Sequence, residues 1–97
     1  YEAHLGAGVI LSNVRLDKAQ VTVHGPGGRV SSGLRKFGAI VGDQAEIGCN
    51  AVLSPGSLIG RQSVIYPGSN WLGYLPPQHI AKLKQEFSLV PRRMPEE

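Results

Sequence analysis

Val41-Gly42-Asp43-Gln44-Ala45-Glu46 and Ile47-Gly48-Cys49-Asn50-Ala51-Val52 open a run that continues as LSPGSL, IGRQSV and IYPGSN to Asn70. The first place of each hexad holds Val41, Ile47, Leu53, Ile59 and Ile65, all aliphatic. The fifth holds Ala45, Ala51, Ser57, Ser63 and Ser69, all small. The second is Gly42, Gly48 and Gly60, interrupted by Ser54 and Tyr66. Two restricted columns sustained over consecutive hexads are the mark of an internal repeat. A period of six matches neither the helical 3.6 nor a continued strand alternation. It suits an all-β coil of three short strands per turn, with one aliphatic side chain per hexad pointing into a triangular core. The small residue lies near each corner, where a larger one would collide with the next face, and glycine eases the bend. Residues three hexads apart then stack: Val41 with Ile59, Ile47 with Ile65, and Leu53 with Trp71, the lone tryptophan serving as a lid. A series of short hairpins is the competing arrangement, but hairpins do not require a small residue every sixth place.

Working outward, Leu5–Ile10 and Leu11–Leu16 fall in the same phase, with Leu5 and Leu11 inward and Asn13 near a corner. From Asp17 to Leu34 the repeat fails, because keeping its phase would bury Arg29 and then Arg35 without partners. An alternating stretch, a Gly-Pro-Gly-Gly turn at 25–28 and a second extended piece make 17–34 an inserted loop or β-arm projecting from the coil. Long loops of this kind are functional or exchanged between subunits more often than idle; a disordered excursion is the plain alternative. Arg35–Ile40 brings the chain back, with Ala39 in the small column and Phe37 or Ile40 filling the re-entry. Gly73–Pro77 then closes a β-helix spanning 1–75. Ile80, Leu83 and Phe87 at helical spacing, with Pro77 in the first turn, predict a short C-terminal α-helix over 76–90. Residues 91–97 read as a loose tail.

The 97 residues make one small domain, and the 13 glycines suit a fold built on corners. The net charge of +3 is local, gathered at Arg15, Lys18, Arg29, Arg35 and Lys36. It lacks the dense basic clusters and aromatic platforms of a nucleic-acid surface, so no nucleic-acid partner is expected and anionic small molecules are favoured. A single cysteine, Cys49, rules out an intrachain disulfide and fits a reducing cytoplasm. No apolar run of about twenty residues predicts a membrane span. The opening Tyr1-Glu2-Ala3-His4 starts inside apparent structure and reads as a piece of a longer protein. About three coils bury little core and leave two open ends, so a homo-oligomer is expected.

These words carry a family resemblance. The hexads resemble the hexapeptide-repeat transferases, whose fold is the left-handed parallel β-helix, an exception to the right-handed crossover rule, and whose habit is a parallel trimer. His4–Asn13 resembles the "NIGAGTITxNYDG" segment of the acetyltransferase half of bifunctional N-acetylglucosamine-1-phosphate uridyltransferases. Arg35–Asp43 (RKFGAIVGD) resembles their "NKxxTxIGD", and Ile47–Asn50 their "IGS(D/N)". The C-terminal β-helix of related sugar-nucleotidyltransferases is more similar still, over residues 4–75. The resemblance implies that Asn13 and Lys36, with Arg35 beside them, contact a sugar phosphate. It implies that Cys49, with Pro67, lies along an acetyl-coenzyme A groove between subunits, and that the chemistry belongs to sugar nucleotides such as UDP-N-acetylglucosamine. An amide beside an ammonium does suit a sugar phosphate. On the residues alone, Asn13 could equally bond its own turn, Lys36 be a solvated corner charge, and Cys49 a plain turn residue.

Two departures stand out. The family's catalytic histidine lies upstream of the GAG segment, before Tyr1, and His4 stands where the family has asparagine. The connection from Asn13 to Lys36 is also much longer than the family's. His4, His24 and His79 lack the spacing of the β-helical carbonic anhydrases, and no metal is expected. His24, beside Gly25, Gly27, Gly28 and Arg29, is either an anion ligand or an exposed loop histidine. Phosphate-loop, dinucleotide and nucleophile-elbow motifs are absent. Two functions follow: a transferase domain binding sugar phosphate and acetyl-coenzyme A between subunits, or a non-catalytic trimerisation or regulatory domain of a sugar-phosphate nucleotidyltransferase.

Overall fold

The computed structural model describes residues 1–93. Every regular element among them is a strand. Ten strands are two residues long: β1 (His4–Leu5), β2 (Ile10–Leu11), β5 (Ile40–Val41), β6 (Glu46–Ile47), β7 (Val52–Leu53), β8 (Leu58–Ile59), β9 (Val64–Ile65), β10 (Asn70–Trp71), β11 (Tyr74–Leu75) and β12 (Ile80–Ala81). The remaining two, β3 (Thr22–Gly25) and β4 (Gly28–Ser31), form an antiparallel hairpin. The short strands build three parallel faces. The first face is β1-β6-β9-β12, the second β2-β7-β10, and the third β5-β8-β11. This is the parallel β-helix that the hexads predict. The expected stacking holds residue for residue: Val41 on Ile59, Ile47 on Ile65, and Leu53 on Trp71.

The inward column supplies the core. Ile47, Leu53, Ile59 and Ile65 are fully enclosed, each worth about 1.5–3 kcal/mol of burial. Leu5 and Leu11 occupy the same column but remain 45% and 38% exposed, because no coil lies below them. The small column is enclosed from Ala45 to Ser69. Its serines do more than avoid collision. Ser57 Oγ accepts the Gly73 N–H at 3.3 Å, and Ser63 Oγ accepts that of His79 at 3.2 Å, in each case from the residue stacked above. Ser69 has no coil above it, and its Oγ is buried with no partner among the described residues.

The structure corrects the reading beyond Trp71. Trp71 lies on the last rung of the second face, half-buried against the core, with its indole N–H donating to Gly73 O at 3.1 Å. The coil does not stop there. Leu75 stacks on Ile59 and Ala81 on Ile65, so the β-helix runs to Ala81 rather than ending at 75. The C-terminal helix expected over 76–90 is not formed: Ile80–Ala81 is a strand and residues 82–93 carry no regular structure. The physical reason is that the edge of β9 offers Ile80 and Ala81 a ladder to join, whereas a lone short helix is marginal in water. Residues 91–93 of the expected tail are exposed; the rest lies outside the described residues. No helix among the described residues is long and apolar enough to cross a membrane.

Candidate functional site

The faces meet at three corners, and two of them carry the candidate residues. The second corner, between the second and third faces, is Ser54–Gly56 in the middle coil and Leu72–Gly73 above it. In the lowest coil this corner is replaced by residues 12–39, the inserted arm. Its neck is closed by an antiparallel bridge between Val14 and Lys36, and Phe37 N–H donates to Asn13 O at 2.8 Å. Asn13 and Lys36, far apart in sequence, therefore meet at the neck, with Arg35 next along the chain. All three are exposed, and none of their side chains makes a hydrogen bond among the described residues. Asn13 engages the neck through its backbone carbonyl, not through a turn made by its own amide.

The arm is ordered and folded back. Val21 is fully buried; its N–H donates to Leu34 O at 2.7 Å, and Ser32 Oγ donates to Val21 O at 2.6 Å. His24 N–H donates to Gly56 O at 3.0 Å, while Gly56 N–H donates to Gly38 O at 2.8 Å. Gly56 has φ +84, and a Cβ there would run into Thr22 O, so only glycine lets the hairpin seat on this corner. Between hairpin and corner lies an open cleft of about 860 Å³, lined among others by Arg15, His24, Arg29, Ser54, Pro55 and Leu72. On its lip Arg15 pairs with Asp17 at 2.7 Å. The Ala19 N–H is the main cause that holds the exposed Asp17 carboxyl below its usual range; desolvation opposes it, and the Arg15 guanidinium adds to the lowering. That local support is present at neutral pH and is lost as pH falls through the depressed value.

The first corner carries the other two candidates. Cys49 and Pro67 stack one coil apart, tied by Gly68 N–H donating to Cys49 O at 2.9 Å. Both are exposed. A Cβ on Gly6 would lie 2.9 Å from Cys49 Sγ, and one on Gly48 would strike Pro67, which explains the glycines in this column. Cys49 and Pro67 are thus separated from the Asn13–Lys36 neck by the width of the second face, at most roughly 20 Å for an extended hexad. The chain keeps the two candidate sets at opposite edges of one face.

The histidines do not converge. His4 lies in β1, His24 in the hairpin, and His79 near a corner with Nδ1 2.8 Å from Pro77 O, not in a helix. No group of three metal-ligating side chains occurs among the described residues. Sequence reading passed over Ser54, Pro55 and Leu72 as ordinary hexad positions. One signal could have found part of the cleft: His24 and Arg29 are equidistant from the Pro26-Gly27 turn, and the hairpin pairs them directly.

Fold and repeat together define a hexapeptide-repeat protein of the β-helix class. No family model matches the chain. It is 41% identical over 68 residues to a bifunctional sugar-1-phosphate nucleotidylyltransferase/acetyltransferase of Sulfurisphaera tokodaii, covering 70% of this chain and 17% of that protein. Identity is 38% over 71 residues to the bifunctional protein GlmU of Methanococcus vannielii, covering 73% and 16%. It is 35% over 66 residues to the putative uncharacterized acetyltransferase YaiX of Escherichia coli, covering 68% and 29%. The chain is a homologue of these hexapeptide-repeat transferases, and it spans less than a third of the length of the curated relatives it matches.

Proposed function

We propose that this chain is the β-helix domain of a sugar-nucleotide-type transferase. It binds a sugar phosphate at Asn13, Lys36 and Arg35, and acetyl-coenzyme A along the edge bearing Cys49 and Pro67. A neighbouring copy in a homotrimer completes the groove. The observation that supports this reading is the bridged neck, which brings Asn13 and Lys36 together across the inserted arm. There the amide can orient hydroxyls while the ammonium, with Arg35, meets the phosphate charge. Names of the relatives point the same way, to sugar-1-phosphate and acetyl-transfer chemistry. Acyl transfer also needs a base within hydrogen-bond reach of the attacking amine. His4 lies on the first face and His79 near the corner between the third and first faces, so in this reading the base comes from outside this chain. The lone thiol fits a reducing cytoplasm.

The test is calorimetric titration with acetyl-coenzyme A and, separately, with glucosamine-1-phosphate and other hexose-1-phosphates, on protein whose mass in solution is measured. Lys36→Ala is expected to weaken sugar-phosphate binding about tenfold, the order of one charge-assisted hydrogen bond, with the melting temperature unchanged. Equal binding by variant and parent removes Lys36 from the site. A second reading, a non-catalytic trimerisation or regulatory domain of a sugar-phosphate nucleotidyltransferase, draws on the nucleotidylyltransferase named among the relatives. An oligomer that binds neither ligand would select it.

A further inference from the structure

The cleft beneath the hairpin gathers groups that neither the core nor the proposed transferase site uses. His24 and Arg29 are direct cross-strand partners, so their side chains leave the hairpin on one face, and both line the cleft. Val23 and Val30 pair on the opposite face, where Val30 is 67% exposed. Arg29 makes no ion pair among the described residues, whereas Arg15 on the facing lip is held by Asp17. One end of the cleft therefore presents an uncommitted guanidinium beside an imidazole. Val14, Leu16, Pro55 and Leu72 supply its apolar lining, beside the hydroxyls of Ser12, Thr22 and Ser54 and the Arg15–Asp17 pair, and Leu16 and Leu72 are otherwise open to solvent. Exposed leucines flanking a cationic end are a surface built for something with two unlike halves.

We propose that this cleft binds a nucleoside diphosphate, free or as its sugar ester. The diphosphate takes the Arg29 and His24 end, and the base lies against Leu16, Pro55 and Leu72. Guanidinium forks match phosphate oxygens two at a time, and about 860 Å³ is room for a ligand of that size. The His24 N–H bond to Gly56 O seats the hairpin, and the Gly56 N–H bond to Gly38 O ties the same corner to the returning end of the arm, before any ligand arrives, which lowers the ordering cost of binding. This site shares no side chain with Asn13, Lys36, Cys49 or Pro67, so the inference does not rest on the transferase reading.

The test titrates the assembled protein with uridine diphosphate, inorganic pyrophosphate and uridine, followed by calorimetry and by amide NMR shifts. Uridine diphosphate should bind tightest, pyrophosphate more weakly and uridine weakest, with shifts at His24, Arg29 and Gly56. Arg29→Ala should weaken uridine diphosphate at least tenfold, and Arg29→Lys should fall between. Leu72→Ala should weaken uridine diphosphate but not pyrophosphate. Lys36→Ala should leave uridine diphosphate binding unchanged, which separates this site from the sugar-phosphate site. Parent-like binding by Arg29→Ala, with its circular dichroism intact, would overturn the proposal. So would shifts confined to Asn13 and Lys36, or no binding by the parent.

Discussion

Gln44, Gln62 and Gln78 adopt left-handed backbone angles, φ 56, 55 and 59, which cost a side-chain-bearing residue roughly 1–2 kcal/mol each. Stacking offsets that cost. Gln62 Nε2 donates to Gln44 Oε1 at 3.2 Å, and Gln78 Nε2 to Gln62 Oε1 at 3.1 Å, so one corner carries an amide ladder. Gln44 and Gln62 are visible in the hexads, each in the fourth place and three hexads apart, but Gln78 lies sixteen residues on rather than eighteen and joins the column only once the coils are stacked. The inward column was legible, since a single aliphatic position repeats without exception from Val41 to Ile65. Ile59 lies within it with no exposed surface. Ile59→Asp should abolish folding, because an unpaired carboxylate there has no partner; circular dichroism and solubility check this. A soluble, unchanged oligomer would refute the register.

Among the elements, the arm and the end of the coil show where sequence reading reaches and where it stops. The hairpin itself is legible, because Gly25-Pro26-Gly27-Gly28 separates two extended runs. Its docking is not, because backbone groups of His24, Gly38 and Gly56 carry it, and no side-chain pattern encodes those bonds. Gly56→Ala tests the docking. The added methyl meets Thr22 O and the left-handed backbone loses its glycine, so the hairpin should lift from the corner. Trypsin would then cut the arm faster at Lys18, Arg29 and Arg35, and the melting temperature should drop by several degrees, as about 1–2 kcal/mol does in a domain of this size. A parent-like cleavage pattern would mean that the seat is dispensable. The missed rungs have a numerical cause. From Trp71 to Leu75 the inward column advances by four residues instead of six, so Leu75 and Ala81 fall out of the original phase. Ile80, Leu83 and Phe87 then mimic a helical stripe. Of the candidate site, the words around Asn13 and Lys36 single out both residues, whereas their meeting depends on the Val14–Lys36 bridge, which no motif encodes.

For the molecule as a whole, the enclosed column spans little more than one full coil, and the inward rungs at both ends are incompletely covered, with Leu5 45% exposed and Trp71 and Ala81 only half-buried. Small cores of this kind are marginal alone. The proposed homotrimer would make stability depend on protomer concentration by mass action. The melting temperature should therefore rise on concentrating the protein, and sedimentation should report three chains; a concentration-independent melt with monomer mass would end that proposal. The enclosed hydroxyl of Ser69 bears on the upper end. Ser57 and Ser63 each take an amide from the residue sixteen positions on; the same count from Ser69 reaches Gln85, in a stretch without regular structure where Phe87 is 77% exposed. The unfilled oxygen acts as a keyed seat. Whatever strand settles there, from this chain or another, is aligned by having to bring a backbone N–H to one point, and a proline at that point would be refused.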